Sequence, residues 1–167
     1  GIPCIAHLRS FNSDGFTHQK ATFINQNIHT VLAYSESISE HWIQQGLSRN
    51  KVHVIHNAIE NIDTKPLNLQ HNYQLPETAK TIGIVGRVIP VRNHVFLLQA
   101  FKQLHKRHVN TYLLIIGDGN EEDISPVRSC IKDLGLRKHV LMVGYHPNAK
   151  EIIASLDVLV LPYTIEP

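Results

Sequence analysis

The chain has 167 residues, and its 16 basic and 14 acidic side chains give a formal net charge of +2 at pH 7. This near balance argues against a dedicated nucleic-acid binder, which usually carries a strongly basic face. Hydrophobic residues make up 43 % and charged residues 18 %, so an intrinsically disordered chain is excluded. No apolar run approaches the roughly 20 residues that a membrane-spanning helix needs. The chain starts at Gly1 rather than Met, and we expect a longer parent protein.

Short apolar segments alternate with helical patterns along residues 1–57, which we interpret as the closing part of one domain. In chain order the predicted elements are a strand over 2–7, a helix over 18–28, a strand over 30–34, a helix that begins at the capping-box pair Ser37 and Glu40 and stops at Gly46, and a strand over 51–55. Strands that alternate with helices in this way are typical of a parallel sheet.

Residues 58–80 differ in character from both flanks. They are polar, contain Pro66 and Pro76, and show no steady hydrophobic period. This pattern predicts a linker between two domains.

The alternation resumes over residues 81–167. The predicted strands and helices are strands over 81–85, 111–116, 140–143 and 157–161, and helices over 94–108, from the pair Ser125–Pro126 to Gly135, and from Asn148 onward. Four strands and three helices in this order predict a Rossmann-like half sheet. The fold class is therefore α/β, with Rossmann-like parallel sheets and flanking helices.

The loop after the first strand of this second half contains the strongest candidate site. Arg87 and Arg92 lie five residues apart, and Asn93 is placed to cap the helix that follows. A helix N-terminus with two guanidinium groups beside it suits a diphosphate, and Gly86 would let backbone approach a ligand closely. The alternative is that both arginines are solvated loop charges.

Candidate positions also follow the other strands. Gly117 and Gly119 either form a tight turn or pack closely against a nucleotide, and Tyr145 and His146 either face a nucleobase or belong to a surface turn. Glu166 is expected at the same sheet edge, where a carboxylate accepts hydrogen bonds from sugar hydroxyls, unless it is simply an acid near the chain end. The GxGxxG fingerprint of dinucleotide binding is absent, which weakens a dehydrogenase interpretation.

Neither cysteine nor histidine spacing indicates a metal site. Cys4 and Cys130 are isolated, as expected of reduced thiols in a cytosolic protein. The chain has 12 histidines, but no Cys or carboxylate stands at ligand spacing beside the pairs at 53/56 and 105/108. The basic residues 105–108 are interpreted as charges that favour a helix C-terminus rather than as a lipid site.

Five segments in a fixed order resemble one enzyme family, the family 4 retaining glycosyltransferases of the GT-B fold, also called glycosyl transferases group 1. These segments are VLAYSESISEHWIQQGL, KVHVIHNAIE, TIGIVGRVIPVRNHVFLLQAF, LLIIGDGNEE and VLMVGYHPNAKEIIASLDVLVLPYTIEP. The resemblance covers nearly the whole chain and is most specific over 81–167. It implies a partial GT-B fold, with the end of the acceptor-side domain over 1–57 and a truncated donor-side domain over 81–167.

In this family a nucleotide diphosphate sugar binds between two Rossmann-like domains, mainly to the C-terminal one. The resemblance implies transfer of the sugar to an acceptor hydroxyl with retention of configuration, in surface polysaccharide or glycoconjugate synthesis. The acceptor would be a sugar or a lipid-linked glycan. No metal or other cofactor is expected, in keeping with the absence of an Asp-x-Asp motif. The resemblance also implies a cytoplasmic location, with peripheral membrane contact through a part of the protein outside this chain.

The family's functional residues map onto particular positions. Arg87 matches the arginine that contacts the donor diphosphate, and Arg92 stands where a lysine is usual, so a planar fork replaces a point charge. Asn93 stands where glycine is frequent. Glu166 matches the first glutamate of the E-x7-E motif, which contacts the donor sugar. His7 falls where the family often has a histidine near the transferred sugar, although a histidine at the core edge is an equal alternative.

Some parts of the family pattern differ or lie outside the sequence. The loop 145–148 matches the region that lines the nucleobase, but Ala58 replaces the glycine of the usual Asn-Gly turn. The second glutamate of E-x7-E would follow residue 167, and the glycine-rich loop of the N-terminal domain is not present. We therefore expect this piece alone to be inactive.

Two other classes of function are weighed against the transferase. One is a GT-B enzyme of different chemistry, such as a sugar-nucleotide epimerase or a glycan phosphorylase, although no segment matches the lysine region that would hold pyridoxal phosphate. The other is a non-catalytic nucleotide-binding module. Incubation with the donor alone, or titration with UDP and GDP, would separate these possibilities.

Overall fold

The computed structural model describes residues 2–11, 16–60 and 64–163. The described chain divides into two compact units, the first over 2–11 and 16–60 and the second over 64–163. Each unit is an α/β structure and is described by itself.

The first unit is a three-stranded parallel sheet in the order β1-β2-β3. Its elements are β1 (Ile5–Leu8), α1 (Thr17–Asn27), β2 (Thr30–Ala33), α2 (Glu36–Gln44), a one-turn 3₁₀ helix (Arg49–Lys51) and β3 (Val52–Val54). Alternate residues of β2 point inward, and Val31 and Ala33 are fully buried. They pack with Ala21 of α1 and Trp42 of α2, so the helices cover the sheet that their own flanking strands form.

The second helix begins earlier than the capping-box pattern predicts. Ser35 is extended, and its Oγ accepts a hydrogen bond from the backbone N–H of Ile38 at 3.2 Å. Ser37 already lies within the helix, so the prediction that Ser37 starts it is wrong. Two serines two residues apart offer the same chemistry, and the extended backbone at Ser35 makes it the cap.

The second unit is a four-stranded parallel sheet in the order β6-β5-β4-β7. Its elements are α3 (Leu69–Asn72), β4 (Lys80–Val85), a one-turn 3₁₀ helix (Pro90–Arg92), α4 (His94–Arg107), β5 (Thr111–Ile116), α5 (Glu121–Asp133), β6 (Val140–Gly144), α6 (Ala149–Ile153) and β7 (Val158–Leu159). The chain steps outward from β4 to β6 and then returns to the other side of β4. The strand order therefore reverses between β4 and β7, which is the place where ligands bind in open α/β sheets.

The central strand β5 explains why both faces of this sheet are covered. Leu113 and Ile115 pack on one face with residues of α4 and α5. Leu114 and Ile116 pack on the other face with Leu69 of α3 and with α6. A strand buried on both faces reads as a continuous apolar run, as the sequence shows.

Residues 64–80, which the sequence assigns to a linker over 58–80, pack against the second sheet. Leu69 in the four-residue helix α3 is 1 % exposed and contacts the cluster around Leu114. The side chain of Asn68 caps this helix by accepting a hydrogen bond from the N–H of His71. A single helical turn is too short to produce a detectable hydrophobic period.

Helix α5 starts at Glu121, so the prediction that Ser125 and Pro126 mark its N-terminus is wrong. Asn120 is the cap, and its Oδ1 accepts a hydrogen bond from the N–H of Asp123 at 2.9 Å. Three acidic residues in the first turn further favour this start through the partial positive charge of the helix end. Pro126 lies inside the helix, where it forgoes one backbone hydrogen bond.

Asp157 joins the start of β4 to the segment before β7. Its Oδ2 accepts hydrogen bonds from the N–H and hydroxyl of Thr81 at 2.8 and 3.1 Å, and its Oδ1 accepts one from Lys80 Nζ at 2.8 Å. The hydrogen bond from Lys80, followed by that from the Thr81 N–H, lowers the pKa of Asp157. A carboxylate with a lowered pKa stabilises the fold above its ordinary pKa and loses that contribution as the pH falls through the folded value.

We expect Asp157→Ala to lower the free energy of unfolding by about 2 kcal/mol at pH 7, because the fully buried Thr81 loses its acceptor. Urea unfolding at pH 7 and pH 3 measures this, and the difference between wild type and variant should shrink at the lower pH. Arg128→Gln is the control, since it breaks an exposed ion pair with Glu121 and should cost less. A loss from Asp157→Ala no larger than the control's would contradict this account.

Candidate functional site

Three loops meet at the carboxyl edge of the second sheet, one after each of β4, β5 and β6. The N–H of Gly86 donates to the carbonyl of Ile116 at 2.9 Å, which joins the first loop to the second strand. The N–H of Gly117 donates to the carbonyl of Gly144 at 2.8 Å, which joins the second loop to the end of β6. Backbone hydrogen bonds thus tie the first residue of each of these two loops to the last residue of the next strand.

The glycines of the middle loop are required by this close approach. Gly117 has φ +134°, and a Cβ at this position would overlap the carbonyl of Gly86. A Cβ on Gly119 would overlap the carbonyl oxygen of Val88. The positive φ of Gly117 fits a tight turn. Gly117 and Gly119 both pack closely against the neighbouring loop.

A cavity of about 250 Å³ opens between these loops. Five of the residues predicted from the sequence line it together: Gly86, Arg87, Gly117, Tyr145 and His146. Val85, Ile116 and Ala149 add apolar walls, and Asp118 adds a carboxylate. Apolar walls with a few convergent polar groups are typical of a small-molecule site.

The third loop contributes two rings to the cavity. Tyr145 is 76 % exposed, so its aromatic face is accessible to a ligand. His146 Nδ1 accepts a hydrogen bond from the N–H of Asn148 at 3.2 Å. The neutral ring therefore carries its proton on Nε2, where it can donate to a ligand.

Arg92 does not line the cavity but lies against a residue that does. An ideal Cβ on Gly86 would lie 2.8 Å from Arg92 Nη1 and 3.0 Å from its Cζ. The space left by the missing side chain of Gly86 is thus occupied by the guanidinium of Arg92. Gly86 therefore admits the arginine, and the close approach of its backbone to a ligand stays a prediction.

Asn93 occupies the residue before α4, but its side chain makes no capping hydrogen bond, so the capping prediction is wrong. Its Nδ2 donates instead to the carbonyl of Pro162 at 2.9 Å. The backbone of Asn93 is left-handed, with φ +52°, a conformation that glycine and asparagine adopt most readily. The amide is therefore turned toward the segment after β7 rather than toward the helix.

His94 begins α4 as a buried residue, 4 % exposed. Burial, followed by the nearby charge of Arg92, lowers the pKa of His94. Its Nε2 is buried without a hydrogen-bond partner. The imidazole is therefore held neutral at pH 7 beside the positive loop.

Two predicted residues lie elsewhere. His7 is an exposed residue on β1 of the first unit, and its Nδ1 lies 3.4 Å from the hydroxyl of Tyr34. Glu166 lies outside the described residues. The basic residues 105–107 occupy the last turn of α4, at the helix end that favours positive charge.

The sequence patterns indicate no site role for Asp118 or Tyr163. Asp118 follows β5 directly and lines the cavity, so its place at the carboxyl end of a strand was a usable signal. Tyr163 contacts Arg92, with the guanidinium carbon 4.4 Å from the ring centroid. These residues are 71 positions apart, and no local pattern connects them.

Side chains that commonly bind metals do not cluster in the described ranges 2–11, 16–60 and 64–163. No group of three or more His, Cys, Asp or Glu side chains in them lies close enough to hold a metal ion. Cys4 and Cys130 are both free thiols. Helices in the same ranges are all too short or too polar to cross a bilayer, the longest having 14 residues.

Comparison with known protein families identifies the family of this chain. The family model described as glycosyl transferases group 1 matches residues 68–167, which is more than half of the chain and includes the whole cavity. The chain belongs to this family. The resemblance to glycosyl transferases group 1 that the sequence motifs indicate is thereby confirmed.

The chain is also similar to curated glycosyltransferases. It is 26 % identical over 141 residues to the lipopolysaccharide core biosynthesis glycosyltransferase LpsD of Rhizobium meliloti, covering 84 % of this chain and 39 % of LpsD. It is 27 % identical over 133 residues to the putative glycosyltransferase EpsF of Bacillus subtilis, covering 74 % of this chain and 33 % of EpsF. The chain therefore spans less than two fifths of the length of these relatives.

Solved structures show the same fold. Anabaena HepE, crystallised in complex with UDP and glucose, matches 97 % of this chain and 46 % of its own with a TM-score of 0.85 at 19 % identity. A mutant of Staphylococcus aureus TarM also matches, with a TM-score of 0.70 over 94 % of this chain and 31 % of its own at 14 % identity. The α/β class with parallel sheets and flanking helices is confirmed.

Gly117→Ala should destabilise the protein by about 3 kcal/mol, because the new Cβ overlaps the backbone of Gly86 and L residues rarely adopt a φ of +134°. Chemical denaturation of both variants and wild type measures this. Gly135→Ala is the matched control, since Gly135 also has positive φ but no atom within 4 Å of a Cβ, and it should cost about 1 kcal/mol. Equal losses in the two variants would refute the close-packing account of the loops.

Proposed function

We propose that the full-length protein transfers a sugar from a nucleotide diphosphate sugar to an acceptor hydroxyl, with retention of configuration. The donor would bind in the cavity at the carboxyl ends of β4, β5 and β6. The observation that carries this proposal is the convergence of Gly86, Arg87, Gly117, Tyr145 and His146 on that one cavity. Membership of the glycosyl transferases group 1 family and the UDP and glucose bound to HepE support the same assignment.

The cavity offers separate environments for the parts of such a donor. Tyr145 and His146 supply an exposed aromatic face and an Nε2–H donor for the nucleobase. Arg87 supplies a guanidinium for the diphosphate, and the guanidinium of Arg92 packs against Gly86, which lines the cavity. We assign Gly86, Gly117 and Gly119 to shaping the loops, with Gly86 admitting Arg92.

The chemistry requires negative charge to be stabilised on the leaving diphosphate as the glycosidic bond breaks. Arg87 and Arg92 act by electrostatic stabilisation, which is strongest where the charges are already in place before reaction. We propose that no metal ion is needed, since two guanidinium groups would supply the positive charge and the sequence has no Asp-x-Asp. No protein nucleophile is assigned.

Two further roles are proposed from the family resemblance. Glu166 would accept hydrogen bonds from hydroxyls of the donor sugar, and His7 would lie near the transferred sugar. The acceptor would be a sugar or a lipid-linked glycan, in surface polysaccharide or glycoconjugate synthesis, as the name of LpsD suggests for that relative. We propose a cytoplasmic location, peripheral at the membrane through a part of the protein outside this chain.

Arg87→Ala in the full-length enzyme should lower kcat/KM for the donor by about 100-fold or more, because removing one preorganised charge in a catalytic site has effects of this size. The assay uses a panel of UDP-, GDP- and ADP-sugars, which also identifies the donor base. Arg137→Ala, at an exposed arginine near the amino-terminal end of β6, should keep wild-type activity. Wild-type turnover in Arg87→Ala would remove this arginine from the mechanism.

The same assay without acceptor separates the alternative functions. An epimerase converts the donor sugar to another sugar nucleotide, whereas a transferase at most hydrolyses it slowly. A non-catalytic module does neither. Product analysis by chromatography distinguishes these three results.

A further inference from the structure

The segment after β7 is tied to the loop after β4 by two contacts. The guanidinium carbon of Arg92 lies 4.4 Å from the centroid of the Tyr163 ring, and Asn93 Nδ2 donates to the carbonyl of Pro162 at 2.9 Å. Both contacts cross the point where the strand order of the sheet reverses, between β4 and β7. The loop and the segment therefore meet where a ligand of an α/β sheet is expected.

The guanidinium of Arg92 is also held by a second surface. Its Nη1, Cζ and Nε all lie within 3.5 Å of the position that a Cβ on Gly86 would take. Gly86 in turn lines the cavity. A long side chain that would otherwise sample many rotamers is thus confined between a ring and a glycine at the cavity rim.

The chemistry of the pair favours arginine over lysine. A planar, delocalised guanidinium stacks on an aromatic face, whereas a lysine ammonium is a strongly hydrated point charge. Arg92 and Tyr163 are both only partly exposed, which strengthens the attraction between cation and ring. The planar group at position 92 and the ring at position 163 therefore form a matched pair.

We propose that Tyr163 is a positioning residue, whose ring holds the Arg92 guanidinium against Gly86 so that its charge is in place for the donor diphosphate. This inference rests on the proposed function. It assigns Tyr163 no contact with the reacting atoms, and its effect on catalysis passes entirely through Arg92. It differs from a purely structural role, in which Tyr163 would only anchor the segment after β7.

A double-mutant cycle in the full-length enzyme tests the proposal, with steady-state kinetics on the best donor of the sugar-nucleotide panel. Tyr163→Leu should lower kcat/KM about tenfold, mainly through kcat, because the missing interaction is one that the leaving charge requires. Tyr163→Phe keeps the ring and should stay within about twofold of wild type. In an Arg92→Gln background, Tyr163→Leu should lower kcat/KM by a further factor of less than about two.

The matched control is Tyr73→Leu, at another partly buried tyrosine, which packs against the sheet outside the cavity and should keep wild-type kcat. If Tyr163→Leu does not fold, the cycle uses Tyr163→Phe and Tyr163→His, with Arg92→Lys as the second change. The loss of kcat/KM caused by Arg92→Lys should then be smaller in the variant with the smaller ring.

The inference is overturned if the losses of the single variants multiply in the double variants, or if Tyr163→Leu has wild-type kinetics. As long as the wild-type enzyme turns over a donor, these results leave the proposed function intact. No turnover of any donor by the wild type would instead overturn the proposed function, and this inference with it.

Discussion

The carbonyl of Gly86 fills the space that a side chain at residue 117 would need, and this close approach determines the carboxyl edge of the second sheet. Because the two loops touch through backbone, their spacing does not depend on side-chain rotamers. The hydrogen bond from Gly117 to Gly144 extends the same constraint to the end of β6, where the third loop begins. A backbone frame of this kind would hold the walls of the cavity in place, as the proposed electrostatic stabilisation of a transition state requires.

The two arginines of the first loop are held in different ways. Arg87 is exposed and lines the cavity, whereas Arg92 is packed against Gly86 and Tyr163. Burial, followed by the nearby charge of Arg92, lowers the pKa of His94. The His94 side chain at the start of α4 therefore adds no positive charge at pH 7. Two guanidinium groups with different surroundings therefore contribute to the positive potential at this edge.

Much of the fold could be predicted because its signals are local. Residues 111–116 form a continuous apolar run, and a strand buried on both faces has that pattern. The starts of helices were less predictable where two residues can act as the cap, as at Ser35 and Ser37, and where Pro126 resembles a first helical residue but lies inside α5.

The five cavity residues could be predicted because each follows a strand of a parallel sheet. The contacts of Asn93 with Pro162 and of Arg92 with Tyr163 were not found, since they depend on the return of the chain to the far side of β4.

We propose that a nucleotide diphosphate binds between the three loops. Hydrogen–deuterium exchange of the full-length enzyme, with and without saturating UDP, GDP or ADP, tests this proposal. One nucleotide should slow exchange in peptides containing residues 85–93, 116–120 and 144–149, and leave exchange at the amino-terminal ends of the same strands unchanged. Slowed exchange confined to other segments, or no change with any of the three nucleotides, would contradict it.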